Sequence, residues 1–280
     1  NPSLVGSEMC IRDSTNTIEI SSITALDTGS FTADNMGKSL VKWNNTSFFA
    51  ASQNAEPDEK QGKIDYYILS SSGAILENQT FSLDSSTIKN GIPANNAYFG
   101  YAMTRVDNEL IVSVPGDTGA IYAIPIDTTK ANVFGTPVKV SEGSLVNFNF
   151  GVDGFLGSSL ASLVFKGKNL IVIGDYTDVS DNGGSINITE YSDITFGLSQ
   201  KIGVSAGLQP GIDLDLSSGD KFGSSIAVGE IHPDSFELFV GAPGNDKEVY
   251  RLMVTKVAGE IDSTYVVQSI HPLLNSKYDP

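Results

Sequence analysis

The run Phe222-Gly223-Ser224-Ser225-Ile226-Ala227-Val228, followed after a short polar stretch by Val240-Gly241-Ala242-Pro243, decides the fold of this chain. Two short runs rich in apolar residues with a polar connection between them are typical of two antiparallel strands. Gly223 lets backbone pass close beside the large ring of Phe222. Pro243 has no backbone donor, so it ends the pairing of the second strand. The stretch therefore predicts a β-hairpin with a fixed beginning and end.

The same pattern occurs four times along the chain. The anchoring glycines are Gly37, Gly100, Gly157 and Gly223, and they are separated by 63, 57 and 66 residues. Each unit contains four strand-like runs, and no stretch shows convincing helical periodicity. A period near 60 residues with short β-rich runs is typical of a β-propeller blade. We therefore predict an all-β fold, a β-propeller of four-stranded antiparallel blades.

These residues resemble the FG-GAP repeat, the blade unit of integrin α-subunit propellers. Phe99-Gly100 with Val114-Pro115 is a weaker copy, Leu156-Gly157 with Gly174 is weaker again, and Met36-Gly37 is the weakest. The resemblance covers roughly residues 30–270. It implies that the motif residues build the blades and do not bind a ligand. They are Gly37, Phe99, Gly100, Pro115, Gly157, Gly174, Phe222, Gly223, Gly241, Ala242 and Pro243.

The repeats divide the chain into segments. Residues 4–14 resemble a translated sequencing adaptor, so residues 1–14 are left out of the fold prediction. We predict the outer strand of a preceding blade at 15–29, blades at 30–90, 91–145, 146–215 and 216–272, and a tail at 273–280. Integrin-like propellers have seven blades, so an incomplete arc of a seven-bladed ring is favoured over a closed four-bladed ring.

Composition excludes several kinds of partner. The 280 residues include 33 acidic and 17 basic side chains, which gives a net charge of −16. Such a surface repels phosphate backbones and anionic lipids, so we expect no nucleic-acid partner. No run of about 18 apolar residues is present, so we expect no membrane span. One Cys excludes an internal disulfide framework and a cysteine-rich zinc module.

Calcium is the only cofactor that the sequence suggests. The FG-GAP resemblance implies a calcium loop between the first and second strands of a blade, and the nearest match is Glu230–Glu237. Its candidate ligands are Glu230, Asp234 and Glu237. His232 stands where an oxygen ligand is expected, and Ser235 replaces the turn glycine. We therefore expect no cofactor and favour a loop that has lost calcium, with calcium binding at this loop as the alternative.

A second acidic group lies in the connection between the second and third strands of its blade. Asp175, Asp178 and Asp181 are spaced so that they converge on a cation if the loop curls. An ordinary solvated loop is the favoured interpretation, and the cation site is the alternative. Because equivalent loops of a propeller emerge on one face, we predict an acidic face that contacts a partner or a cation.

Catalytic signatures are sparse. No Gly-x-Ser-x-Gly elbow and no complete phosphate-binding loop is present, and neither His232 nor His271 is predicted to lie near acid–base partners. The many carboxylates leave a glycosidase pair open, although no particular pair stands out. Trp43 and the tyrosines are candidates for a sugar-binding platform, but packing roles account for most of them.

We therefore predict a non-catalytic extracellular binding or adhesion module, and not an enzyme. Its loops on one propeller face would contact a protein or a glycan, and the extracellular location rests on the family resemblance. The alternative is an accessory propeller of a secreted hydrolase whose catalytic domain lies outside this sequence. A propeller enzyme in its own right is the third hypothesis. Fold alone does not choose among them.

Overall fold

The computed structural model describes residues 36–52, 62–70, 76, 83–84, 98–115, 119–140, 155–177, 183–203, 214–245, 248–258 and 263–272. The predictions for residues 1–35 and 273–280 lie outside these ranges, and so do Asp178 and Asp181. In the described part, no helix is long and apolar enough to cross a membrane.

The described residues form four sheets of four strands each. Blade 1 contains β1 (Met36–Asn44), β2 (Ser47–Ser52), β3 (Lys63–Ile68) and β4 (Leu83–Asp84). Blade 2 contains β5 (Met103–Val106), β6 (Glu109–Val114), β7 (Ala120–Pro125) and β8 (Val138–Lys139). Blade 3 contains β9 (Ser159–Phe165), β10 (Lys168–Asp175), β11 (Ser185–Ser192) and β12 (Thr195–Ile202). Blade 4 contains β13 (Ser225–Ile231), β14 (Ser235–Ala242), β15 (Glu248–Ala258) and β16 (Ser263–Pro272).

Every sheet is an antiparallel meander in which each strand pairs with the next one along the chain. The first strands of consecutive sheets lie side by side, β1 next to β5, β5 next to β9, and β9 next to β13. This is the arrangement of consecutive propeller blades around an axis. The prediction of an all-β fold with four-stranded antiparallel blades is confirmed. That these blades belong to a seven-bladed ring stays a prediction.

Three apolar clusters fill the three joints between consecutive blades. The first joins blades 1 and 2 and contains Phe49, Ile64 and Leu110. The second joins blades 2 and 3 and contains Ile111, Ile121 and Ile171. The third joins blades 3 and 4 around Phe222. The middle strands of blades 2 and 3 are buried on both faces because each of these two sheets packs against two neighbours, which explains their continuous apolar runs.

The Phe-Gly pairs lie at these joints. Phe99 and Phe222 are fully buried. The glycines that anchor the four units all have left-handed backbone, with φ between 83° and 90°. A side chain at Gly100 would come within 2.8 Å of the Ala51 Cβ in the preceding blade, and one at Gly157 within 2.6 Å of the Ser113 Cβ. The glycines therefore let the first strand of one blade approach the blade before it.

Hydroxyl groups connect the inner strands across the joints. The Met103 N–H donates to the Ser39 Oγ at 2.9 Å between blades 1 and 2. The Ser162 Oγ donates to the Arg105 carbonyl at 2.6 Å between blades 2 and 3. The Ser159 Oγ donates to the Gly223 carbonyl at 2.7 Å between blades 3 and 4. Strands that carry small polar residues can therefore satisfy their hydrogen bonds next to the axis.

Candidate functional site

Four aromatic side chains meet at the joint between blades 2 and 3. The ring of Phe155 lies 5.9 Å from that of Tyr98, 5.5 Å from that of Tyr101 and 5.5 Å from that of Tyr176, on which it stacks. All four side chains are half-buried, whereas most other large rings of the described part are buried. We call Tyr98, Tyr101, Phe155 and Tyr176 the aromatic surface.

The repeat itself places these rings. Tyr98 and Tyr101 flank the Phe99-Gly100 pair of blade 2, and Phe155 precedes the equivalent Leu156-Gly157 of blade 3. Tyr176 follows directly after β10. Because the start of a first strand and the end of a second strand lie at the same end of an antiparallel sheet, the four rings are brought to one end of the joint.

Backbone conformation and hydrogen bonds hold the rings in place. Tyr98 has a left-handed backbone with φ 54°, an uncommon conformation for a large side chain. The Phe155 N–H donates to the Thr177 Oγ1 at 2.6 Å and to the Asp175 Oδ1 at 3.2 Å. The same Asp175 oxygen accepts the Thr177 N–H at 3.1 Å. The carboxylate of Asp175 therefore ties the segment after β10 to the start of blade 3.

Two of the hydroxyl groups interact with each other. Burial raises the pKa of Tyr101, and a hydrogen bond from Tyr176 partly opposes this shift. Burial also raises the pKa of Tyr176 to about 12, and the nearby Tyr101 and Asp175 add to the shift. Both phenols are therefore neutral near pH 7 and can act as hydrogen-bond donors and acceptors.

A cation lies at one edge of the aromatic surface. The Lys38 Nζ is 4.2 Å from the centroid of the Tyr101 ring, in a cation–π contact. Lys38 follows Gly37 in blade 1 just as Tyr101 follows Gly100 in blade 2. The residue is exposed as a whole, yet partial burial of its amine lowers its pKa. The site thus combines an aromatic surface, phenol hydroxyls and one ammonium group.

A different set of side chains could hold a metal ion at blade 4. The ligand atoms of Glu230, His232 and Glu237 all lie within 4.8 Å of one another. Glu237 is buried and forms an ion pair with Arg251, and this hydrogen bond lowers the pKa of Glu237. The guanidinium group already neutralises the central carboxylate, so a metal ion would have to compete with Arg251.

The predicted calcium loop differs from this arrangement. The structure brings Glu230 and Glu237 together with His232, but it does not bring Asp234 to them. Asp234 is exposed and forms an ion pair with Lys166 of blade 3 at 2.8 Å. The connection between β13 and β14 is only residues 232–234, because His232 N–H donates to the Ser235 carbonyl at 2.8 Å and closes a tight hairpin. So short a hairpin leaves Glu230, His232 and Glu237 as the possible ligands, and calcium at this loop stays a prediction.

The group Asp175, Asp178 and Asp181 leads to a testable prediction about calcium. If these side chains bind Ca²⁺, millimolar Ca²⁺ raises the melting temperature and EDTA lowers it, because a ligand that binds only the folded state stabilises it. The triple variant with Asn at all three positions is expected to abolish the shift, as measured by differential scanning fluorimetry. A melting temperature that does not respond to Ca²⁺ contradicts the hypothesis.

A further polar group lies at the equivalent end of the joint between blades 3 and 4. Asp220 is 2% exposed, and its Oδ1 has no hydrogen-bond partner among the described residues. Its Oδ2 accepts the Ser217 N–H at 2.5 Å. The hydroxyl of Tyr250 has a raised pKa, first because of burial and then because of Glu248, Asp220 and Asp215. The buried phenol of Tyr250 therefore lies beside Phe222 and near three carboxylates.

Comparisons with known proteins give only distant similarity. No protein-family model matches the chain, and a search of curated proteins finds no match. Among solved structures, an α-L-arabinofuranosidase from Lactobacillus brevis is 11% identical with a TM-score of 0.49, over 87% of this chain and 75% of that chain. A neuraminidase-like protein from A/bat/Guatemala/164/2009 is 12% identical with a TM-score of 0.46, over 83% of this chain and 53% of that one. The GH93 α-L-arabinofuranosidase of Fusarium graminearum is 11% identical with a TM-score of 0.46, over 83% and 66%.

These findings correct two predictions. Neither the prediction of a non-catalytic adhesion module nor the prediction that the chain is not an enzyme is kept. The similar solved structures described above are arabinofuranosidases and a neuraminidase-like protein, and none of them is an integrin. The integrin resemblance had rested on the Phe-Gly pairs, which lie in the joints between blades and do not distinguish an adhesion protein from an enzyme.

The aromatic surface did not follow from the sequence. Trp43 and the tyrosines were candidates for a sugar-binding platform, with packing roles expected for most of them. The structure buries Trp43 in the first joint and leaves Tyr98, Tyr101 and Tyr176 half-exposed. The signal that could have found them is their position next to the Phe-Gly pair and directly after a second strand, because residues there reach the end of a joint.

Proposed function

We propose that this chain is a propeller that serves a carbohydrate hydrolase and supplies the surface on which the glycan lies. The aromatic surface is the observation that carries the proposal. A sugar ring has apolar C–H faces and a polar rim, so it packs on aromatic rings while its hydroxyls bond to neighbouring polar groups. Tyr101 and Tyr176 offer both a ring and a hydroxyl. A glycan polymer is met outside the cell, so we also propose an extracellular location.

The Phe-Gly pairs have a separate role in this proposal. We infer that they are FG-GAP-like joints and take no part in glycan binding, since Phe99 and Phe222 are fully buried between blades. The residues that flank each pair are free to differ from blade to blade. In blade 2 they are aromatic, whereas in blade 4 they are Lys221 and Ser224. Binding is therefore assigned to the joint between blades 2 and 3.

The proposal predicts that the aromatic rings determine glycan affinity. The double variant Tyr101→Ala with Tyr176→Ala is expected to bind arabino-oligosaccharides at least about 30-fold more weakly, because truncation of one buried anchor costs about 2 kcal/mol. Isothermal titration calorimetry with neutral arabinan fragments, acidic polygalacturonate fragments and sialyllactose measures this effect. Phe48→Ala is the matched control, since Phe48 is half-buried and stacks on Tyr67 at 5.1 Å away from the aromatic surface. Wild-type protein that binds none of these fragments contradicts the proposal.

A second candidate is that this propeller carries out the hydrolysis itself. Asp220 favours it, because a buried carboxylate with an unpaired oxygen beside a phenol and two further carboxylates resembles the paired acidic groups of glycosidases. Release of 4-nitrophenol from 4-nitrophenyl α-L-arabinofuranoside by the isolated chain, abolished in Asp220→Asn, supports this candidate. Binding without hydrolysis supports the accessory role.

A further inference from the structure

Among the residues that the structure describes, Lys38 is the positively charged side chain that contacts the ring of Tyr101. It lies in β1 of blade 1, so three blades contribute to the region around the aromatic surface. Among the described residues Lys38 forms no ion pair, and its ammonium group contacts only the face of a ring. Many other lysines of the described part are paired with carboxylates, as Lys63 is with Asp65 at 2.9 Å and Lys166 with Asp234 at 2.8 Å.

Among the described residues, charged side chains of opposite sign lie near the aromatic surface. Lys38 contacts the ring of Tyr101, whereas Asp175 contributes to the raised pKa of Tyr176. The Oδ1 of Asp175 already accepts hydrogen bonds from Phe155 and Thr177. A ligand with one negative group is therefore favoured in the orientation that directs this group to Lys38 and away from Asp175.

The net charge of the chain does not prevent such binding. Although the protein carries a net charge of −16, exposed charges farther away than about 8 Å are largely screened at physiological ionic strength. A direct contact between an ammonium group and a carboxylate is screened less, and hydrogen bonds to charged groups are stronger than neutral ones. The ammonium group of Lys38 can therefore favour a ligand with a carboxylate in spite of the negative net charge.

We infer that the aromatic surface takes a sugar that carries a carboxylate, and that Lys38 binds this carboxylate while the rings hold the sugar. This inference rests on the proposed glycan binding and specifies the class of glycan that binds. A uronic acid within a polymer and an acidic sugar at the end of a glycan both carry a carboxylate. Polygalacturonate oligomers and sialyllactose distinguish these two sources, and arabinan oligomers are the neutral reference.

The test compares the affinities of the wild-type chain and of Lys38→Gln for these three probes by calorimetry. We expect the wild-type chain to prefer one of the two acidic probes to arabinan. Lys38→Gln is expected to lose about tenfold in affinity for that probe, because a charged hydrogen bond contributes about 1.5 kcal/mol, and to keep its affinity for arabinan. Lys38→Arg keeps the charge and should keep the preference.

Lys42→Gln is the matched control, since Lys42 is exposed on the same strand and its loss changes the net charge equally. An equal loss in Lys42→Gln overturns the inference, because the effect would then come from the net charge. An unchanged preference in Lys38→Gln also overturns it, as does a wild-type chain that binds arabinan but neither acidic probe. These outcomes leave the proposed function intact, whereas loss of all glycan binding by the wild-type chain overturns both.

Discussion

Replacement of Gly184 by alanine is expected to separate blades 3 and 4. Gly184 has φ 93°, and its backbone pairs with that of Phe222 in a parallel bridge between the two blades. An added Cβ would overlap the Phe222 carbonyl and would lie 2.8 Å from its nitrogen. Left-handed backbone alone costs an alanine about 1 to 2 kcal/mol, and the overlap with rigid backbone adds to it. We expect a total loss of about 4 kcal/mol, at the upper end of single substitutions.

The matched control for this variant is Gly167→Ala. Gly167 also has left-handed backbone, with φ 73°, but a Cβ there would meet no atom within 4 Å. Gly167→Ala therefore has the cost of a left-handed backbone but causes no overlap between blades. Equilibrium unfolding in urea measures both variants. Equal losses of unfolding free energy in the two would show that the contact between Gly184 and Phe222 does not hold the blades together.

Truncation of Phe222 is expected to have an effect of similar size. Phe222 is fully buried in the third joint, and its ring packs edge-on against Tyr250 at 5.5 Å. Phe222→Ala removes this ring and leaves a cavity between two sheets that are already fixed by hydrogen bonds. Substitutions of this kind cost about 3 to 5 kcal/mol. For a chain of this size, we expect the melting temperature to fall by roughly 10 °C in differential scanning calorimetry.

Phe222→Leu is the conservative partner of this experiment. The equivalent position of blade 3 is Leu156, which is 2% exposed and fills the second joint. Leucine is thus compatible with the geometry of the repeat. We expect Phe222→Leu to lose less than half of the unfolding free energy that Phe222→Ala loses. If Phe222→Leu destabilises as much as Phe222→Ala, the joint depends on an aromatic ring and not on buried volume.

The sequence predicted the blades well because the blades are built from local patterns. Four β-rich runs in each repeat identified the sheets, and each described sheet has four strands. The Phe99-Gly100 pair of blade 2 does not belong to its first strand, because β5 begins only at Met103. The left-handed backbone at Gly100 turns the chain there, so the Ala102 N–H instead bonds to the Ser113 hydroxyl at 2.9 Å.

The candidate site could not be predicted in the same way, since it depends on contacts between repeats. Tyr101 and Phe155 are 54 residues apart in the sequence and meet only when blades 2 and 3 pack together. Asp234 looked like a calcium ligand beside Glu230 and Glu237, but Lys166 of the neighbouring hairpin binds it. Spacing along the chain indicates which side chains share a loop, and it does not indicate which side chains of another blade lie opposite.

The position of the aromatic surface across a joint links binding to the angle between two sheets. Tyr101 belongs to blade 2, whereas Phe155 and Tyr176 belong to blade 3. A ligand that contacts both blades stabilises the contact between their sheets. By thermodynamic linkage, separation of the sheets weakens ligand binding by the same free energy. The apolar cluster around Ile111 and Ile171 in the same joint would then open less often. Amide hydrogen exchange in this cluster would slow when a ligand is bound, although the cluster does not contact the ligand.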